Sequence, residues 1–83
     1  MDINGKTIVI TGGGQGLGRA MAVYLARSGA RLALIDLNAD KLAETAELCR
    51  AAGGSAHVYL ANVAREEEVV ATFERIVADT GAV

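Results

Sequence analysis

The sequence predicts an α/β fold in which a parallel sheet carries helices on its faces. Three observations predict it. Short apolar runs near residues 6–11, 31–36 and 56–60 alternate with three segments of helical periodicity. The connections between them are short and most are punctuated by glycine. Five of the 10 glycines fall between positions 12 and 18, directly after the first apolar run and directly before the first helical segment. Such alternation implies parallel strands joined by right-handed crossovers.

Lys6 to Thr11 reads KTIVIT, a β-branched apolar run expected of a strand buried on both faces. After the glycine-rich stretch, Leu17, Met21, Tyr24, Leu25 and Ser28 fall on one face of a helix expected over Gly16 to Ser28, with Gly29 as its terminator. Arg31 to Asp36 is a second apolar run that ends in a carboxylate. Asn38 then suits the N-cap of a helix from Ala39 to Ala52, with Leu42, Ala46 and Cys49 on one stripe and Gly53-Gly54 ending it. Ala56 to Leu60 is a third strand. A third helix spans Arg65 to Thr80, with Val69, Phe73, Ile76, Val77 and Thr80 facing inward. Its first turn holds Glu66, Glu67 and Glu68, where negative charge complements the helix dipole, and Gly81 ends it. The order β-α-β-α-β-α is the first, mononucleotide-binding half of a doubly wound, Rossmann-like parallel sheet with strand order 3-2-1.

In that order the first strand expects a neighbour on its far side, and no fourth strand precedes Val83. The expectation is therefore that residues 1–83 are the N-terminal portion of a single domain that continues beyond Val83. Otherwise KTIVIT would be an open apolar edge.

Composition narrows the function classes. The 83 residues are 52% hydrophobic, which is too apolar for a disordered chain. A net charge of −2 gives no basis for nucleic acid or an anionic membrane as partner. The single cysteine, Cys49, permits no internal disulfide and reads as a small buried hydrophobe. The opening MDINGK lacks the layout of a signal peptide, and no apolar run approaches the ~18 residues that span a bilayer. A cytoplasmic location follows as the expectation.

The glycine-rich stretch carries the chemistry. Glycine allows a tight turn and a close approach to the backbone, and the helix that follows aims free N–H groups and a positive dipole end at the same place. A turn of this kind cradles an anion such as a dinucleotide diphosphate. The G-x-G-x-x-G fingerprint does not fit in register, since a start at Gly12 puts Leu17 where the third glycine belongs. T-G-x-x-x-G-x-G does fit, on Thr11, Gly12, Gly16 and Gly18.

This spacing, with Asp36 at the end of the second strand and Asn62-Val63 at the end of the third, resembles the short-chain dehydrogenase/reductase family. The resemblance covers essentially all 83 residues and only the opening portion of a family member. It implies cofactor contacts from Gly12, Gly14, Gln15, Gly16, Leu17, Gly18, Asp36, Leu37, Asn62 and Val63. Gly12 allows the turn, Gly16 the approach of the diphosphate, and Gly18 close packing of helix on strand, while Leu17 offers a backbone N–H to phosphate. Asp36, 24 positions after Gly12, would accept the adenosine ribose hydroxyls and repel a 2′-phosphate. Family members that take the phosphate tend to place arginine where this chain has Leu37 or Gln15. NAD is therefore the expected cofactor, in preference to NADP. Asn62 departs from the family's usual aspartate, although its amide oxygen can accept the same hydrogen bond from adenine. The other reading of Asn62 is an ordinary helix-entry residue.

The resemblance implies hydride transfer between nicotinamide and a small-molecule alcohol or ketone, in a homo-oligomer, and the opening is similar to bacterial 3-oxoacyl-(acyl-carrier-protein) reductases. The family's Tyr-x-x-x-Lys pair is missing here: Ser28 stands four residues after Tyr24 and Val63 four after Tyr59. No catalytic residue and no metal-ligand cluster is expected within these positions, and a non-catalytic nucleotide-binding module is the alternative. His57 stands alone and reads as structural or surface. Arg19 suits either a phosphate or an exposed helix face.

Overall fold

Six elements follow one another along the chain: β1 (Thr7–Thr11), α1 (Gly16–Ala26), β2 (Arg31–Asp36), α2 (Ala39–Ala51), β3 (Ser55–Leu60) and α3 (Glu66–Thr80). They come from a computed structural model that describes residues 3–81. Met1, Asp2, Ala82 and Val83 lie outside the described residues, and with them the first two positions of the polar opening and the tail beyond Gly81. The elements are those expected, with ends displaced by one or two residues. Helix α1 stops at Ala26, and the chain leaves it through a turn in which Gly29 N–H donates to the Ala26 carbonyl at 2.9 Å.

The three strands form one parallel sheet in the order β1-β2-β3, the expected adjacency. Thr7 sits opposite Arg31 and Arg31 opposite Ser55, so the strands start level. Strand β2 is central, and its Leu32, Ala33 and Leu34 are wholly buried. The two-sided burial expected of the first strand belongs to β2 instead. In β1 only Ile10 is buried, because among the described residues β1 pairs on one side alone.

Successive β2 side chains point to opposite faces and seed two cores. Leu32 and Leu34 join Ile10, Ala22, Ala26, Leu42, Ala46 and Cys49 beneath α1 and α2. Ala33 and Ile35 join Tyr59, Ala61 and Ile76 beneath α3. Leu32, Leu34 and Leu42 have no exposed surface, and each such burial contributes about 2 kcal/mol.

Helix α2 buries its expected stripe, together with Thr45, and Asn38 caps it by accepting from Lys41 N–H at 3.0 Å. The inward faces expected of the other two helices are corrected. Helix α1 buries Ala22 and Ala26, whereas Leu17 and Tyr24 are 76% and 69% exposed and Met21 is also exposed. The cause is close packing. A Cβ on Gly54 would lie 2.8 Å from both Cα and Cβ of Ala26, so only small side chains fit beneath this helix. Helix α3 anchors through Ile76 and Thr72, with Val69 and Thr80 half-buried and Phe73 and Val77 exposed.

Candidate nucleotide-binding site

The register brings Thr11 opposite Ile35 and Asp36 opposite Leu60, so the segments after all three strands open on one edge of the sheet, at the carboxyl ends. Ligands of doubly wound sheets bind at this edge. The glycine stretch leaves β1 there and is tied down at once: the N–H groups of Gly12 and Gly13 both donate to the Ile35 carbonyl, at 2.7 and 3.2 Å.

Two glycines turn the loop through left-handed backbone, Gly12 at φ +68° and Gly16 at φ +60°, where any side chain would be strained. Gly18 has a different task. A Cβ there would collide with the Gly12 carbonyl oxygen and come within 2.8 Å of its carbon. The first turn of α1 thus lies directly against the loop. Arg19 N–H donates to the Gln15 carbonyl at 3.4 Å, so the N–H groups of Gly16, Leu17 and Gly18 precede the helix's own ladder. With no acidic side chain in that turn, the helix end keeps its positive field.

Asp36 meets the loop from β2. Its Oδ2 accepts from Gly14 N–H at 3.0 Å and its Oδ1 from Leu37 N–H at 2.7 Å. A carboxylate oxygen has two lone pairs, so each retains one for a further donor. The two backbone bonds fix the orientation of the carboxylate. Gly14 must be glycine for this contact, since a Cβ there would stand 2.7 Å from Asp36 Oδ2 and 2.9 Å from Lys41 Cβ. The side chains of Gln15 and Leu37, uncharged, are exposed at this mouth.

The strand ends place Asn62 and Val63 on the same edge, since Ala61 N–H donates to the Asp36 carbonyl at 3.2 Å. The bonds of Asn62 run within its own turn. Its Oδ1 accepts from Ala64 N–H at 3.0 Å, its N–H donates to Glu68 Oε1 at 2.9 Å, and its carbonyl accepts from Arg65 N–H. Asn62 therefore shapes the entry to α3, and Val63 is half exposed at 52%. The structure joins the glycine stretch directly to Asp36, and it holds Asn62-Val63 at the same rim through the backbone.

Arg19 turns away from the helix N-terminus and reaches behind the loop. Its Nε and Nη2 donate to the Gly14 carbonyl at 3.1 and 2.7 Å, and its Nε also donates to Thr45 Oγ1 at 2.9 Å. Nη2 further contacts the Lys41 carbonyl and Glu44. Thr45 in turn lies within 3.1 Å of the Gly14 and Lys41 carbonyls. Sequence spacing does not reveal this link across 26 residues. The one available signal is a hydroxyl at Thr45 within the otherwise apolar stripe of α2.

Tyr59, Cys49 and His57 take no part in these bonds. The Tyr59 ring is buried, its hydroxyl donates to Asp79 Oδ2 at 2.8 Å, and burial with that carboxylate pushes its pKa up to about 12. A phenol so shifted is poorly matched to proton exchange at neutral pH. Cys49 is buried, which raises its thiol pKa. His57 is exposed on β3. Among the described residues there is no acidic, histidine or cysteine cluster fit for a metal ion, and no helix long and apolar enough to cross a membrane.

Known proteins are similar to this chain in sequence and fold. The family model for short chain dehydrogenases matches residues 6–83. The 2,5-dichloro-2,5-cyclohexadiene-1,4-diol dehydrogenase of Sphingobium indicum is 41% identical over 80 residues, covering 96% of this chain and 31% of that protein. The crystal structure of an NAD⁺-bound xylitol dehydrogenase superposes with a TM-score of 0.92 at 36% identity, covering 98% of this chain and 31% of its own. A metagenomic short-chain oxidoreductase in complex with NADP also gives 0.92, at 28% identity, over 98% of this chain and 37% of its own. The chain thus spans about a third of the length of such relatives. The glycine loop, the carboxylate bonded to it and the family match agree: the chain belongs to the short-chain dehydrogenase/reductase family.

Proposed function

We propose that this chain is the NAD-binding part of an oxidoreductase that transfers hydride between nicotinamide and an alcohol or ketone. The observation that carries the reading is the joint between Asp36 and Gly14, which fixes a carboxylate beside a loop shaped for phosphate. The residues fit a dinucleotide. Nothing lies within 4 Å of a Cβ built on Gly12 or Gly16, so the loop is open to an approaching diphosphate, the first N–H groups of α1 are free to receive an anion, and each Asp36 oxygen keeps a lone pair for a ribose hydroxyl.

Gly12, Gly14, Gln15, Gly16, Leu17 and Gly18 would hold the diphosphate and Asp36 the adenosine ribose, with Leu37, Asn62 and Val63 bordering the adenine. NAD is favoured over NADP, because the Asp36 carboxylate repels a 2′-phosphate and neither Gln15 nor Leu37 offers a cation. When bound, the cofactor supplies or accepts the hydride. Both NAD and NADP occur among the similar structures, so this preference rests on the chain's own residues.

The family's tyrosine–lysine pair is assigned to sequence outside these residues, since neither Tyr24 nor Tyr59 is followed by lysine at the fourth position. A 3-oxoacyl thioester is one substrate class that the resemblance suggests, and homo-oligomeric assembly and a cytoplasmic location rest on the resemblance as well. The test is a screen of the full-length protein against secondary alcohols, 3-hydroxyacyl thioesters and their ketones. NADH appearance or consumption is followed by absorbance. NAD-linked turnover supports the reading. NAD binding without turnover, in a protein whose full sequence lacks the tyrosine–lysine pair, overturns it in favour of a non-catalytic nucleotide-binding module.

A further inference from the structure

The bonds around Gly14 hold this residue on both sides, through two successive peptide units. Its N–H is taken by Asp36 Oδ2, while its carbonyl receives Arg19 Nε, Arg19 Nη2 and the Thr45 hydroxyl at 3.1, 2.7 and 3.1 Å. Because a peptide bond is planar and trans, a carbonyl fixed toward Arg19 turns the next N–H, that of Gln15, to the opposite side. Glycine on the carbonyl side of this peptide leaves its ψ unusually free, so without a clamp the unit can flip. A flipped unit would present carbonyl oxygen, not N–H, to an anion.

We propose that Arg19, acting with Thr45, is a positioning residue for the dinucleotide diphosphate: it pins the Gly14 carbonyl behind the loop and so keeps the N–H side toward the anion. This rests on the cofactor reading above. Arg19 contacts no phosphate in this role. Its Nε and Nη2 are spent on the Gly14 carbonyl, Thr45 and the Lys41 carbonyl, and its side chain is only 26% exposed. Arginine suits the task because a planar fork can serve several acceptors at once, which a lysine ammonium in its place would do poorly. The clamp also joins α1 to α2, so the position of α2 becomes part of the cofactor site.

The test is calorimetric titration of the full-length protein with ADP and with NAD, alongside thermal melting. Arg19→Met is expected to weaken both ligands about tenfold, and Thr45→Val about threefold, with the double variant less than additive. Thr45→Ser, which keeps the hydroxyl, should bind as wild type. Arg50→Met is the structural control, since Arg50 makes a comparable bond from α2 to the Ala56 carbonyl away from the loop. It should lower the melting temperature and leave ADP affinity unchanged. Should Arg19→Met fail to fold, Thr45→Val and Thr45→Ser decide the matter. Wild-type binding that neither Arg19→Met nor Thr45→Val alters overturns the clamp alone. No binding of ADP or NAD by the wild-type protein overturns the cofactor reading and the clamp with it.

Discussion

Adding one methyl group at Gly18 tests the shape of the loop. A Cβ there would strike the Gly12 carbonyl oxygen, pass within 2.8 Å of its carbon and lie 3.2 Å from Gly13 Cα. All three atoms are backbone, so no side chain can rotate away. Gly12 cannot retreat freely, because its N–H is held by the Ile35 carbonyl at 2.7 Å. Overpacking of this kind costs about 1–3 kcal/mol. If the loop yields by leaving its binding geometry, the cost appears in affinity, as a rise in the NAD dissociation constant of roughly 5- to 150-fold. If it yields by loosening the fold, the cost appears in the melting temperature. Gly16→Ala is the comparison. Nothing lies within 4 Å of the added atom, and the penalty is only that of an L-residue at φ +60°. That penalty is about 1–2 kcal/mol. Calorimetric titration of the full-length protein with NAD, paired with thermal melts of all three forms, should therefore rank Gly18→Ala as the more damaging. A Gly18→Ala protein with wild-type affinity and stability would refute the close approach of α1 to the loop.

Three further outcomes follow from other parts of the structure. Asp36→Asn should weaken NAD by about tenfold while leaving NADP nearly unaffected, because on the proposed reading the amide loses one of two acceptors for the ribose hydroxyls together with the charge that would repel a 2′-phosphate; titrations with both cofactors read the ratio. Tyr59 should ionise near 12, followed as phenolate absorbance lost in Tyr59→Phe. Since its folded pKa lies above the ordinary value of 10.0, its contribution to stability is complete below pH 10 and declines as pH rises toward 12, which denaturant melts in that range would detect. Cys49 is wholly buried with a raised thiol pKa, so a thiol reagent should modify it only after unfolding, as peptide mapping would show.

Much of this was legible in the order of residues. Alternating apolar runs and glycine breaks located all six elements, because both periodicities are local properties of the chain. The loop and Asp36 could be paired from sequence because the strand-to-strand crossover brings the ends of β1 and β2 level. The faces of α1 and α3 were not legible. Leu17, Met21 and Tyr24 weigh more on a hydrophobic scale than Ala22 and Ala26. Yet α1 sits too close to its neighbours for large side chains, and the alanines go inside. The Arg19–Thr45 link was hidden because it joins two helices across 26 residues, where no periodicity applies. Asn62 was open to two readings. Its bonds to Ala64, Arg65 and Glu68 show what it does for the helix entry, and an Oδ1 lone pair remains for a second task.

Gly12 to Gly18 and Asp36 are proposed to form together a single site for NAD. The most direct test is a pair of calorimetric titrations of the full-length protein, one with NAD and one with NADP, at the same ionic strength. NAD is expected to bind more tightly. NADP binding as tight as NAD, or tighter, would contradict it.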